Sequence, residues 1–147
     1  MLAPGAHGEL GKIVITGTPE VALNITYTAT VEITGDWTYT PEGGAASLYF
    51  PLVIKVNGDS GDLSSCVDID GVAAAIKAAI EAEDNGTTVV NPDTTLDGNY
   101  DVEVTWEWAF NGEDVKDTAL GNNAAKPGAE ALNISVTIEC LVEQVDE

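Results

Sequence analysis

Between Val21 and Ile33 every odd position is apolar: Val21, Leu23, Ile25, Tyr27, Ala29, Val31 and Ile33. Between them stand Thr26, Thr28 and Thr30, with Asn24, Glu32 and Ala22. A period of two marks a strand with one face buried and the other in water. The same pattern returns at Leu48, Phe50, Leu52, Ile54 and Val56, and again at Val102, Val104, Trp106, Trp108 and Phe110. It closes the chain at Leu132, Ile134, Val136, Ile138, Cys140 and Val142. Four long half-buried strands need a second sheet to cover them, so the pattern predicts an all-β, two-sheet sandwich.

One segment changes period. From Val72 to Glu83 the chain is alanine-rich, with Val72, Ile76 and Ile80 at helical spacing. Asp68 and Asp70 suit a helix N-terminus, and Asn85-Gly86 reads as the stop. The expectation is one short α-helix, about residues 70–83, in a loop connecting the halves of the sandwich. Residues 40–44, 57–62 and 91–93 read as turns. No repeat divides the chain, so residues 21–147 are expected to form a single sandwich domain, with residues 1–20 as an N-terminal arm.

Charge narrows the partners. Among 147 residues, 25 Asp and Glu face 5 Lys and no Arg, for a formal net charge of −20. Such a chain repels phosphates and anionic lipid, which argues against nucleic acid and bare membrane surfaces. No apolar run is long enough for a membrane span. The start, Met1-Leu2-Ala3-Pro4, has neither the basic nor the apolar part of a signal peptide. The expectation is the processed form of a secreted chain. Sequons at Asn24, Asn85 and Asn133 are candidate glycosylation sites and agree with export.

Catalytic chemistry is scarce. His7 is the only histidine and lies in a Gly- and Pro-rich end, and no phosphate-binding or metalloprotease motif occurs. The strand carboxylates fall on the solvent phase. The chain is therefore read as a non-enzyme needing no cofactor. Trp106 and Trp108 share the inward phase of Val102 and Val104 and are expected in the core, while Trp37 and Tyr39 could form a small surface platform. Oxygen ligands for calcium gather at Asp59, Asp62, Asp68 and Asp70, and again from Asp97 to Asp101. The latter resembles the start of an EF-hand loop but has Val102 at its sixth position and no glutamate at its twelfth. Solvated turns explain both groups as well. Cys66 and Cys140 make one possible disulfide, expected if the chain is exported, with two buried free thiols as the alternative.

Three stretches carry a resemblance. They are Val104-Thr105-Trp106-Glu107-Trp108-Ala109-Phe110, Asp117-Thr118-Ala119-Leu120-Gly121-Asn122, and Ile134-Ser135-Val136-Thr137-Ile138 with Glu143-Gln144-Val145-Asp146. Together they resemble the closing motifs of the TasA/camelysin family, which comprises secreted biofilm-matrix proteins and related bundling pilins. The resemblance covers about 45 residues closely. It implies a jelly-roll-like sandwich whose identical subunits polymerise by donor-strand exchange, each N-terminal segment completing a sheet of its neighbour. The metalloprotease label attached to camelysin finds no zinc motif here.

A donor strand has a candidate. Gly11, Lys12, Ile13, Val14, Ile15, Thr16 and Gly17 form a compact β-branched run bounded by glycines. Pro19 breaks pairing before the next strand begins. The residues alone are equally compatible with a hairpin in which the run pairs with the strand following it. The resemblance implies exchange between subunits, with Ile13 and Ile15 entering apolar pockets.

Overall fold

The computed structural model describes residues 5–61, 63, 65–83, 90–97, 100–108 and 114–145. Among them the chain forms an all-β sandwich with antiparallel pairing throughout, as the alternation predicts. The strands are β1 (His7–Ile13), β2 (Leu23–Thr34), β3 (Thr38–Tyr39), β4 (Ser47–Leu48), β5 (Leu52–Val56), β6 (Asp59–Ser60), β7 (Val102–Trp108) and β8 (Asn133–Gln144). One sheet runs β1-β7-β5-β6; a second pairs β2 with β8 over twelve residues, and β3 and β4 make a short ribbon.

The core lies between these layers. Ile25, Tyr27 and Ala29 from β2 meet Leu52, Ile54 and Val56 from β5, and Val102, Val104 and Trp108 from β7. Each set is the apolar phase of its strand, which is why the alternation located it. Phe110 and residues 84–89, including Asn85, lie outside the described residues.

The helix α1 (Ile69–Glu81) covers β2, burying Val72, Ile76 and Ile80. Asp68 is its N-cap: the carboxylate accepts from the Gly71 N–H at 2.8 Å and satisfies one of the orphan donors of the first turn. At the other end, the Glu81 carboxylate accepts from the Ala29 N–H at 3.1 Å. One amide on the edge of β2 away from β8 is thereby occupied, and Val90 bridges Leu23 further along that edge.

Two elements depart from the expectation. The strand expected from Leu48 to Val56 is divided: Leu48 belongs to β4 and pairs with Thr38, while Leu52–Val56 joins the large sheet. Pro51 lies at the break and has no N–H for a ladder. A second helix, α2 (Asp114–Ala125), also forms where one helix was expected in the whole chain. Its apolar period is weak, with Leu120 alone fully buried among its described side chains. It is docked by polar groups instead. The Tyr49 hydroxyl donates to Asp117, and Asn123 donates to the carbonyl of Thr38 at 2.9 Å.

Trp37 is not part of a surface platform. It is 1% exposed, its indole N–H donates to the Thr34 carbonyl at 2.7 Å, and its ring packs on Phe50. The alternation assigned no phase to it because it sits in the three-residue connection, Gly35 to Trp37, between β2 and β3.

Candidate assembly interface

The N-terminal strand begins earlier than the β-branched run suggests. Strand pairing covers His7–Ile13, while Val14 to Gly17 lie beyond it. Its partner is β7, distant in sequence, and not the following strand. Neither simple hairpin pairing nor the expected strand limits hold in this chain.

Glycines hid this strand. Ala6, Gly8 and Leu10 are half-buried, and the register shift between Glu9 and Gly11 moves the inward phase to Gly11, Ile13 and Ile15. Such a bulge places one extra residue on one strand and reverses the alternation beyond it. Ile13 and Ile15 pack against the core, as does Leu10. On the outer face Lys12 meets Glu103 at 3.4 Å, both partly exposed, a pairing of small energetic weight.

Gly8 stands opposite Trp106. Gly11 stands opposite Val104, and a Cβ there would lie 3.4 Å from Ile138 Cδ1 and 3.6 Å from the Val136 carbonyl oxygen. At that point β1 therefore runs against β8 as well as β7. The ladder is carried on as far as Gly5, which donates to the Trp108 carbonyl at 2.6 Å, while Trp108 donates to that of Ala6 at 2.9 Å. Leaving the sheet, the chain is held to a second segment. The Ile15 N–H donates to Asp101 Oδ1 at 2.9 Å and the Gly17 N–H to Asp97 Oδ1 at 2.8 Å.

Among the described residues β8 pairs only with β2. Its inward residues Val136, Ile138 and Cys140 are half-buried, and Leu141 and Val142 are exposed. A long strand edge without a ladder partner is a template for a further strand.

The other candidate residues are dispersed. Asp59 is exposed on β6, Asp70 is exposed in the first turn of α1, and Asp68 is occupied as its cap. Asp62 lies outside the described residues. Among the described residues no group of three His, Cys, Asp or Glu is placed to hold a metal. Asn24 is half-buried within β2, and Asn133 is exposed at the start of β8.

Cys66 and Cys140 are free thiols, not the expected bridge. Cys66 packs at the N-terminal end of α1, beside Leu48, Phe50 and Val72. It is the opposite end of α1, about 18 Å away along the axis, that reaches β2 at Ala29, whose partner in β8 is Ile138. Cys140 stands two residues further along β8, opposite Tyr27. A disulfide needs Cα atoms within about 7 Å. The inward phase of Cys140 was legible; its distance from the helix N-terminus was not. Burial pushes the Cys140 thiol pKa up.

No protein family, no curated protein and no solved structure matches this chain.

Proposed function

We propose that this chain is the repeating subunit of an extracellular fibre and that it polymerises by exchange of its N-terminal strand. The observation that carries the reading is the position of β1. Among the described residues it is the first strand and an edge strand, joined to its sheet through β7 alone in six register pairs. If β1 leaves, β7 keeps β5 and β2 keeps β8, so no other ladder is broken, while the row of β8 that β1 covers at Val136 and Ile138 is laid open to an incoming strand. The strand of a second copy then finds the same edge, the same recess opposite Trp106 and the same apolar row. Exchange of an identical element remakes between subunits the pairing that each subunit gives up within itself, so it proceeds with little change in total pairing. The family resemblance points the same way, as do the sequons, which agree with a secreted, surface-exposed protein of a biofilm matrix.

The test is removal of residues 1–13. The truncated protein is expected to stay folded, to form no filaments by electron microscopy, and to gain thermal stability from a peptide spanning Gly5 to Val14. Normal filaments from the truncated protein overturn the proposal.

A second reading, a monomeric module binding a carbohydrate or protein, has one observation in its favour. A shallow groove of about 440 Å³ crosses the β1-β7-β5-β6 sheet, lined by His7, Val53, Lys55, Thr105, Trp106 and Glu107. An aromatic edge beside polar groups suits a sugar ring. A protein that remains monodisperse under all assembly conditions and binds a glycan with loss on Trp106→Ala would favour this reading.

A further inference from the structure

The segment joining β1 to β2 is fastened at alternate residues to one loop. Ile15 N–H donates to Asp101 Oδ1 and Gly17 N–H to Asp97 Oδ1, at 2.9 and 2.8 Å. In return, the Gly17 carbonyl accepts from the Leu96 N–H and the Pro19 carbonyl from the Asp93 N–H, both at 2.8 Å. A carboxylate that accepts from a backbone N–H forms one of the stronger hydrogen bonds available to a protein. Gly17 has φ of +112°, with open space where a Cβ would lie. The glycine is needed there for backbone conformation, and the run's C-terminal boundary is a turn into this loop.

The loop itself is anchored to the body of the sandwich. The Tyr27 hydroxyl of β2 donates to the Tyr100 carbonyl. Asn57 Nδ2, in the tight turn after β5, donates to the Asp101 carbonyl at 3.1 Å, and its Oδ1 accepts from the Glu103 N–H at 2.9 Å. Leu96 is buried in the core at 5% exposure. Asp101 immediately precedes Val102, the residue paired with Ile13. Between the last rung of β1 and the first bond to Asp101 stands Val14, 57% exposed.

We infer that Asp97 and Asp101 clamp residues 15–19 to their own subunit, so that strand exchange pivots at Val14 and transfers residues up to Ile13. This inference rests on the exchange reading and specifies its geometry. A pivot of one residue leaves little slack, so the acceptor edge of the neighbour must begin within a few ångströms of the donor's own loop. Release of the clamp would free these five residues, roughly 17 Å of extended reach, and the spacing of subunits would no longer be fixed.

The test uses the full chain with Cys66 and Cys140 replaced by Ala. Filaments are grown from a mixture of Lys12→Cys and Glu103→Cys subunits and oxidised, and hydrogen exchange at the amides of Ile15 and Gly17 is read in monomer and filament. Mixed disulfide dimers are expected, because Lys12 and Glu103 face each other across the exchanged pair. The Ile15 and Gly17 amides are expected to remain at least tenfold slower to exchange in filaments than in the Asp97→Ala/Asp101→Ala variant. Asp97→Asn/Asp101→Asn, which keeps an oxygen acceptor, should restore most of that protection. Mixed dimers with loss of protection at both amides overturn the clamp and leave strand exchange standing. Absence of mixed dimers in well-formed filaments overturns both.

Discussion

Gly8 lies directly opposite Trp106, and a Cβ on Gly8 would stand 2.9 Å from the indole Nε1 and 3.3 Å from Cε2. The indole edge occupies the space that any other residue would fill. Glycine in a strand interior ordinarily weakens it, and here it admits close approach of a large ring to the neighbouring backbone. Gly8→Val should therefore lift β1 from β7, at a cost of about 1–3 kcal/mol if the overpacking cannot relax. The denaturation midpoint reads the loss. Trp106→Ala should recover part of it in the double variant, giving a coupling energy across the pair. A Gly8→Val protein as stable as the parent would show that the ring moves freely aside.

Asp68 contributes through its bond to the Gly71 N–H. Asp68→Ala is expected to destabilise the fold by about 1 kcal/mol, and Asp68→Asn much less, since asparagine also caps well. The same assignment bears on calcium. With Asp68 occupied, Asp59 and Asp70 exposed, and no group of three metal-ligating side chains among the described residues, EDTA should leave the melting temperature unchanged. A fall on chelation, reversed by calcium, would mean that a folded-state site exists.

The main architecture was legible because β2, β5, β7 and β8 each carry an apolar phase that faces the core over most of its length, Val142 at the end of β8 being the exposed exception. Ile25, Tyr27 and Ala29 are buried as their spacing demands. The N-terminal strand was legible only from Gly11 on, since Gly8 carries no side chain and the bulge before Gly11 reverses the phase. α2 was illegible for a different reason. Its Gly121-Asn122-Asn123 stretch has low helix propensity, and it docks through Tyr49–Asp117 and Asn123–Thr38 contacts made with distant residues. Nothing in the local sequence announces such pairs. The partner of β1 was likewise a matter of topology: alternation marks a strand and a face, and says nothing of which edge it will join.

Both cysteines should be chemically available once the chain unfolds. Intact-mass measurement after alkylation in denaturant without reductant is expected to show two added groups. In the folded protein Cys140 should react more slowly than an unstructured thiol, because burial raises its pKa and lowers its thiolate fraction. The raised value also means that ionisation favours the unfolded chain on the alkaline side. This contribution to stability is fully present below the unfolded pKa and is lost as pH rises through the folded one. A mass showing no added group in the unreduced protein would establish the bridge that this structure lacks.

Glu81 joins α1 to the edge of β2 away from β8, accepting from Lys77 one turn earlier and from the Ala29 N–H. The Lys77 hydrogen bond chiefly, and then the Ala29 N–H, hold its carboxyl below the ordinary glutamate value. A carboxyl with a depressed pKa in the folded state binds its proton more readily when the chain unfolds. Its contribution is therefore fully present above the unfolded value, roughly pH 4.3, and disappears as pH falls through the lower folded value. Acid has an opposite effect on the whole chain, since protonation relieves the mutual repulsion behind a formal net charge of −20. Comparison with Glu81→Gln separates the two, because the variant keeps nearly the same global charge and retains an oxygen for Ala29 while losing the charged bond to Lys77. The parent should be the more stable protein at pH 7, and the gap should be constant down to about pH 5 and close below it. Urea unfolding at pH 7, 5, 4 and 3 measures the gap directly. A difference that persists undiminished at pH 3 would mean that the carboxylate charge of Glu81 does not hold helix and strand together.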